Sequence, residues 1–454
     1  MTRRRLPGIA LSSLLGLAAV TGLVRPAPAV AQVQWSGVER VVAFADVHGA
    51  YTELVTLLRE NGILDAQDRW AAGRTHVVSL GDLLDRGADS RKVMDLLMRL
   101  QGEAEAAGGR LHVVLGNHEA MNVLGDLRYV DPGEFAAYAD VESATERADR
   151  RKAWEAAQGA GSGPAFDQKF PPGYFGHRAA LSPKGPYGQW LLSLPVAIAI
   201  NDTLFMHAGP SSALRGMSLP ELNLRYRTAL IEYVGLADRL EQAGLLQPGD
   251  EFHARPQLAN ERFAAKSTAA ASGGATDGAL ADAVQRFQAA DDDVLLSPVG
   301  PNWYRGAALC NEAAEADVLH PLLQQFSVVR LVVGHTPTRD LRAVTRFDGR
   351  VVKLDAGMNR AAYKGRAVAL FLQPSGLSVR YAGEPDAVPL QPEGLFVAPN
   401  ELDDASVLAA LSDGEVTVAG PRGPNELNVS VSHAGKRVPA VFQARTADAA
   451  RKEV

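Results

Sequence analysis

From residue 38 onward, short apolar runs alternate with stretches whose apolar positions recur at helical spacing. "VERVVAFAD", "THVVSLGD" and "LHVVLGN" are continuous apolar runs that end in Asp or Asn. They read as strands buried on both faces. Between them lie "YTELVTLLRENG" and "SRKVMDLLMRLQGEAEAAGG". In the second, Val93, Leu96, Leu97 and Leu100 make an apolar stripe and Gly108-Gly109 supplies the stop, so strand, helix, strand, helix, strand is the economical reading. Units of this kind build an α/β layer with ligand sites at the carboxyl ends of the strands.

The pattern loosens from about residue 123 to 200, where the charged helical stretch "ESATERADRRKAWEAAQ" precedes "FPPGYFGHRAALSPKGPYGQWLLSLP". A second polar, helical insertion is expected from about 211 to 295, with "AAKSTAAASGGATDGA" as a loop. Strand-like runs return as "DTLFMHAG", "RLVVGHTP", "VVKLDAG" and "AVALFLQP" and close the core. Past about Pro374 the turn-rich composition predicts a linker over 375–402 and a small separate region over 403–454.

The first residues are of another kind: "MTRRRLPGIALSSLLGLAAVTGLVRPAPAVAQ" carries arginines, then an apolar stretch, then Ala29-Val30-Ala31 as a cleavage site. Residues 1–31 read as an export signal, which predicts a periplasmic or secreted protein of the bacterial envelope and no membrane span in the mature chain. Arg25 and two prolines interrupt the apolar stretch, which is short for a span of about 20 apolar residues. Cys310 is the single cysteine, so no intramolecular disulfide forms. With 46 Lys plus Arg against 52 Asp plus Glu, the chain offers no basic balance that would direct it to nucleic acid.

Five segments, "ADVHG", "LGDLLDRG", "LGNHEA", "FMHAG" and "VVGHTP", put Asp, Asn or His directly after an apolar strand. A lone carboxylate or imidazole there is costly; several converging ones are stabilised by cations. The donor set mixes oxygen and nitrogen without thiolate, which suits manganese, iron or zinc better than calcium or copper(I).

These ordered motifs resemble the calcineurin-like metallophosphoesterases. "GDLLDRG" and "GNHEA" point to the phosphoprotein phosphatase group, and "PPGYFGHRAALSP" with "NWYRGAAL" to the Shewanella-like protein phosphatases, over roughly residues 38 to 372. The resemblance implies an α/β fold with two mixed β-sheets packed as a sandwich, flanked by helices, over a domain at 32–374. It implies two metal ions, manganese or iron before zinc: Asp46 and His48 on the first, Asp82 bridging both, and Asn117, His207 and His335 on the second. A bridging hydroxide would attack phosphorus. Arg86 and Arg305 would clamp the phosphate oxygens, His118 would protonate the leaving group, and Asp85 would hold its ring. Gly49, Gly81, Gly87 and Gly116 would let the backbone turn beside the metals.

The implied activity is hydrolysis of phosphate monoesters on a phosphorylated protein, peptide or small molecule, tyrosine favoured over serine or threonine. Hydrolysis of diadenosine tetraphosphate or another nucleotide is the enzymic alternative, since that group shares the "DRG" arm. A catalytically silent metal-binding or interaction module is the alternative of another class. Arg178 is a rival to Arg305 as a clamp. Asp355 and Asn359 read as turn residues before metal-site supports. His76, His112, His177, His253, His320 and His433 fall outside the motifs and read as surface or core residues.

Overall fold

The computed structural model describes residues 32–270 and 278–393, and the strand residues 415–423, 426–433 and 436–443. The expected export signal lies outside the described residues, as does most of the region past 393. No described helix is long and apolar enough to cross a membrane.

Thirteen strands in chain order form two mixed sheets: β1 (Gln34–Trp35), β2 (Val41–Phe44), β3 (His76–Ser79), β4 (Arg110–Val113), β5 (Ala197–Ile200), β6 (Thr203–Met206), β7 (Arg330–Val333), β8 (Val344–Arg346), β9 (Val351–Lys353), β10 (Val368–Gln373), β11 (Gly376–Tyr381), β12 (Val388–Pro389) and β13 (Gln391–Pro392). One sheet runs β12-β11-β10-β2-β3-β4, the other β1-β5-β6-β7-β9-β8-β13. In the first, β2, β3 and β4 are parallel and in step, Val42 facing Val77 and Val77 facing Leu111. Helix α1 (Tyr51–Glu60) and helix α2 (Ser90–Ala106) make the crossovers. The sheet is apolar where these helices cover it, which is why the strands carry no alternation of apolar and polar residues. One continuous buried cluster draws on both sheets: Val42, Val78 and Val113 from the first, Phe205, Val332 and Val352 from the second.

The strand ends decide where chemistry goes. Asp46, Asp82 and Asn117 follow β2, β3 and β4, while His207, His335 and Asp355 follow the parallel β6, β7 and β9. The carboxyl ends of both sheets therefore contribute to one rim.

The first insertion is helical: α3 (Asn117–Leu124), α4 (Pro132–Ala136), α5 (Ala144–Gln158), α6 (Gly163–Lys169) and α7 (Tyr174–Leu181). β5 begins at Ala197. The second holds helices Leu219–Gln242, Arg255–Ala270 and Gly278–Asp291. The stretch read as a loop is thus helical up to Ala270, alanine-rich sequence outweighing its serine and threonine; residues 271–277 lie outside the described residues. The described part of the expected linker is corrected too, while residues 394–402 lie outside the described residues. From Gly376 the chain pairs as β11 against β10, and β12 and β13 add one edge strand to each sheet. Of the small C-terminal region, Glu415–Gly423, Glu426–His433 and Lys436–Gln443 form a three-stranded antiparallel sheet.

Candidate functional site

Each donor side chain is aimed by the turn that follows its strand. His48, Asp82 and His335 have φ of 48°, 49° and 64°, in the left-handed region that ordinary residues avoid, and Asp85 and Arg86 follow at 70° and 64°. Such turns persist because the surroundings hold them. The amides of Val47 and His48 both donate to the Asp82 carbonyl at 2.8 Å, so the first two strand ends are tied together. At Gly334 a side chain would collide with the Asp46 carboxylate, and at Gly116 with the Asp82 backbone, so only glycine lets these strand ends approach.

Second partners fix the imidazoles. His48 Nδ1 bonds the Leu84 carbonyl at 2.9 Å and His207 Nδ1 the Leu80 carbonyl at 2.7 Å. A nitrogen facing a carbonyl must carry the proton, which leaves Nε2 of each ring with a lone pair toward the rim. His48 Nε2 lies 3.6 Å from Asp82 Oδ2, and His207 Nε2 lies 3.2 Å from Asp82 Oδ1 and 2.9 Å from Asn117 Oδ1. His335 Nδ1 is 3.1 Å from His207 Nε2, and its Nε2 is buried without a hydrogen-bond partner among the described residues.

Two donor groups result, His48 with Asp82 and His118, and Asp82 with His207 and His335; within each, the donor atoms lie within 4.8 Å of one another. Asp82 belongs to both. Asp46 stands against them, both carboxylate oxygens accepting from the His335 amide at 3.0 Å. The set is rich in lone pairs and short of protons. Burial, then the charge of Asp355, drives the Asp46 carboxyl well above its ordinary range. Burial alone would lower His207, but Asp82 and Asp46 outweigh it and push the imidazole up to about 9. A proton on His207 thus occupies ground where a cation would serve, and the donor chemistry fits two such ions.

His118 Nδ1 meets Asp85 Oδ2 at 2.5 Å, and Asp85 Oδ1 accepts from Asn122 at 2.9 Å. Burial lowers His118, yet Asp82 and Asp85 together raise it above the ordinary imidazole value. The Arg86 guanidinium lies over the rings of Tyr129 and Tyr363, 5.1 and 5.3 Å from their centroids, and donates no hydrogen bond among the described residues. Arg305 donates to the His335 carbonyl and the Thr336 hydroxyl at 2.8 and 2.9 Å. Arg178 is spent elsewhere, on the Asn122 carbonyl.

Asn359 exceeds its reading as a turn residue. It caps a short helix through Ala361 and Ala362 and donates to the His48 carbonyl at 2.8 Å. Asp355 accepts from Gly357 in a turn and also faces Asp46 electrostatically. Sequence reasoning missed Glu119, which is fully buried. Its Oε2 accepts from Asp82 and Gly116 at 2.8 Å, and its Oε1 from Leu83 at 2.7 Å and Leu84 at 3.2 Å. The available signal was an acidic residue in the first turn of α3, where a helix N-terminus welcomes it.

A family model described as calcineurin-like phosphoesterase matches residues 39–339. The chain belongs to that family. Among calcineurin-like relatives, Shewanella-like protein phosphatase 2 of Arabidopsis thaliana is 34% identical over 192 residues, 40% of this chain and 49% of that protein. Shewanella-like protein phosphatase 1 of Plasmodium berghei is 24% identical over 220 residues, 47% of this chain and 52% of that protein. The chain spans about half the length of these two relatives. A crystal structure of the cold-active protein-tyrosine phosphatase of a psychrophilic Shewanella is similar to 80% of this chain and 84% of its own, at 26% identity and a TM-score of 0.52. The calcineurin-like fold, with its two mixed sheets and flanking helices, is therefore shared.

Proposed function

We propose that this protein hydrolyses phosphate monoesters on protein or peptide side chains, phosphotyrosine in preference to phosphoserine, using two metal ions held by Asp46, His48, Asp82, Asn117, His207 and His335. One observation carries the reading: Asp82 is common to two donor groups, one of them completed by His118, a histidine paired with a buried carboxylate, and an uncommitted guanidinium stands nearby. Bound manganese or iron would supply Lewis acidity toward the phosphate oxygens and toward water.

The chain's own residues supply the rest. Arg86, held by aromatic faces rather than by a carboxylate, keeps its planar fork for the equatorial phosphate oxygens. Arg305, anchored through one nitrogen, brings a second positive charge to the same rim. Because Asp85 holds Nδ1 of His118, the ring carries on Nε2 the proton that the departing oxygen needs. Tyr129 is 41% exposed and its ring lies 5.3 Å from that of His118, an apolar wall for the phenyl group of a phosphotyrosine. The similarity to the protein-tyrosine phosphatase of a psychrophilic Shewanella supports the tyrosine preference. The arginine-led apolar segment ending at Ala31 supports export as the setting.

The deciding assay resupplies metal-depleted protein with manganese and offers phosphotyrosine peptide, phosphoserine peptide and diadenosine tetraphosphate. Turnover of the peptides, phosphotyrosine first, is expected. Turnover of the dinucleotide alone would replace the reading by a nucleotide hydrolase, and no turnover by a metal-binding module.

A further inference from the structure

The turn Asp82–Arg86 presents five consecutive amides, and each is held from outside. Glu119 takes those of Asp82, Leu83 and Leu84, and the Tyr129 carbonyl takes that of Arg86 at 3.0 Å. The Asp85 amide goes to Glu134 Oε2 at 3.0 Å, and the same oxygen accepts from the Ser90 hydroxyl at 2.8 Å. Glu134 lies on α4, in the first insertion, and no step derived above uses it.

Its other oxygen is the unusual part. Glu134 Oε1 is buried without a hydrogen-bond partner among the described residues, and so are both ring nitrogens of His177 on α7. His177 Nε2 lies 3.6 Å from Glu134. Both side chains are fully buried, and the imidazole stands edge-on to Phe135 and Tyr138, with ring centroids 5.1 and 5.2 Å away. One proton on the pair leaves it without net charge, the arrangement that costs least in so dry a place. With that proton on Oε1 and pointing at His177, Oε2 remains a carbonyl oxygen aimed at the Asp85 amide.

We propose that Glu134 is a positioning residue: backed by His177, its carboxyl anchors the left-handed Asp85 and thereby aims the His118 imidazole at the leaving oxygen. The inference rests on the reading of Asp85 and His118 as the acid pair. It assigns the helical insertion a mechanical part in the site, since both members of the anchoring pair come from it. The glutamine isostere preserves the geometry, its carbonyl toward Asp85 and its amide protons toward His177; alanine leaves the buried Asp85 amide unmet and the Ser90 hydroxyl with only the Gly87 carbonyl at 3.3 Å.

The test compares manganese-loaded wild type, Glu134→Ala, Glu134→Gln and His118→Asn on nitrophenyl phosphate and on an alkyl phosphate, which needs the acid more. For Glu134→Ala we expect kcat on the alkyl ester to fall about tenfold further than on the nitrophenyl ester, with KM nearly unchanged, and Glu134→Gln to restore both to within about threefold of wild type. In metal-free protein, the downfield proton resonance of the His118–Asp85 hydrogen bond should shift in Glu134→Ala and stay in Glu134→Gln. If His118→Asn shows the leaving-group dependence while Glu134→Ala does not, the positioning role is overturned and the acid reading stands. If His118→Asn loses activity equally on both esters, it is the acid reading that fails. Should Glu134→Ala not fold, Ser90→Ala, which removes one of the two hydrogen bonds aiming Oε2, must show a smaller loss of the same selective kind; an unselective loss overturns the proposal.

Discussion

The Glu119 carboxylate and the Asp82 amide are joined at 2.8 Å, and the same carboxylate also holds the amides of Leu83, Leu84 and Gly116. A side chain from the first turn of α3 thus shapes the backbone of the residue shared by both donor groups. Glu119→Gln turns one acceptor into a donor that faces amides. We expect a loss of about 1–3 kcal/mol for each buried N–H left unmet, together with weaker metal retention. Thermal unfolding and elemental analysis measure the two effects, and a variant with unchanged melting and metal content would show the cradle to be dispensable.

Arg86 offers a fork and Lys a point charge. Arg86→Lys is expected to lower kcat/KM by roughly a hundredfold, because the loss falls on charge that develops in the transition state. Tyr129→Leu, which removes one of the two rings flanking the guanidinium, should cost less overall but more with aryl than with alkyl phosphates. Inhibition by inorganic phosphate offers an independent check, since a clamp that has lost its fork binds the product less well. Equal phosphate inhibition in wild type and Arg86→Lys would place the clamp elsewhere.

Asp82→Asn substitutes a neutral amide where both donor groups share a carboxylate. The expected outcome is metal content reduced from about two ions per chain to one or none, with activity reduced by at least about a thousandfold. Calorimetric titration with manganese would show one weak binding event in place of two; two tight events would refute the sharing.

Away from the rim, His112 on β4 is 7% exposed, its ring set against Trp35 at 4.3 Å and its Nε2 3.1 Å from His76. Burial first, then His76 and Arg110, pushes it down to about 3 from the usual 6.5. The unfolded chain takes up this proton below the usual value, and the folded chain resists until about 3. The stabilising contribution is therefore complete above the unfolded value and is lost as pH falls through that window, at no more than about 1.4 kcal/mol per unit of displacement. His112→Phe should make stability less sensitive to acid. Urea unfolding at about pH 7 and about pH 5 tests this; equal losses in the two proteins would count against the assignment.

What could be read in advance was whatever chemistry is local to a strand end. Asp46, His48, Asp82, Asn117, His207 and His335 each stand at or just past the end of an apolar run, and burial of the run forces the polar residue to the rim. Glu119 and Glu134 were not legible in this way, because the amides of the Asp82–Asp85 turn that they hold lie 35 to 37 and 49 residues away, and a bond to a distant backbone amide leaves no signature in composition. His177 read as a surface or core histidine; it is buried, and its neighbour Glu134 sits on a different helix of the insertion. The described part of the expected linker was misread because Val388–Pro389 and Gln391–Pro392 are very short strands set among turn residues, and edge pairing tolerates proline.

The short strands β12 and β13 cap one margin of each sheet, and Glu393 just beyond them pairs with Lys353 and with Arg346. A shortened version ending at the apparent compositional break near Pro374 would strip both margins at once. Bare ladders of unpaired amides and carbonyls invite neighbouring molecules to add strands, so such a fragment is expected to aggregate, whereas one carried through Glu393 keeps its margins covered.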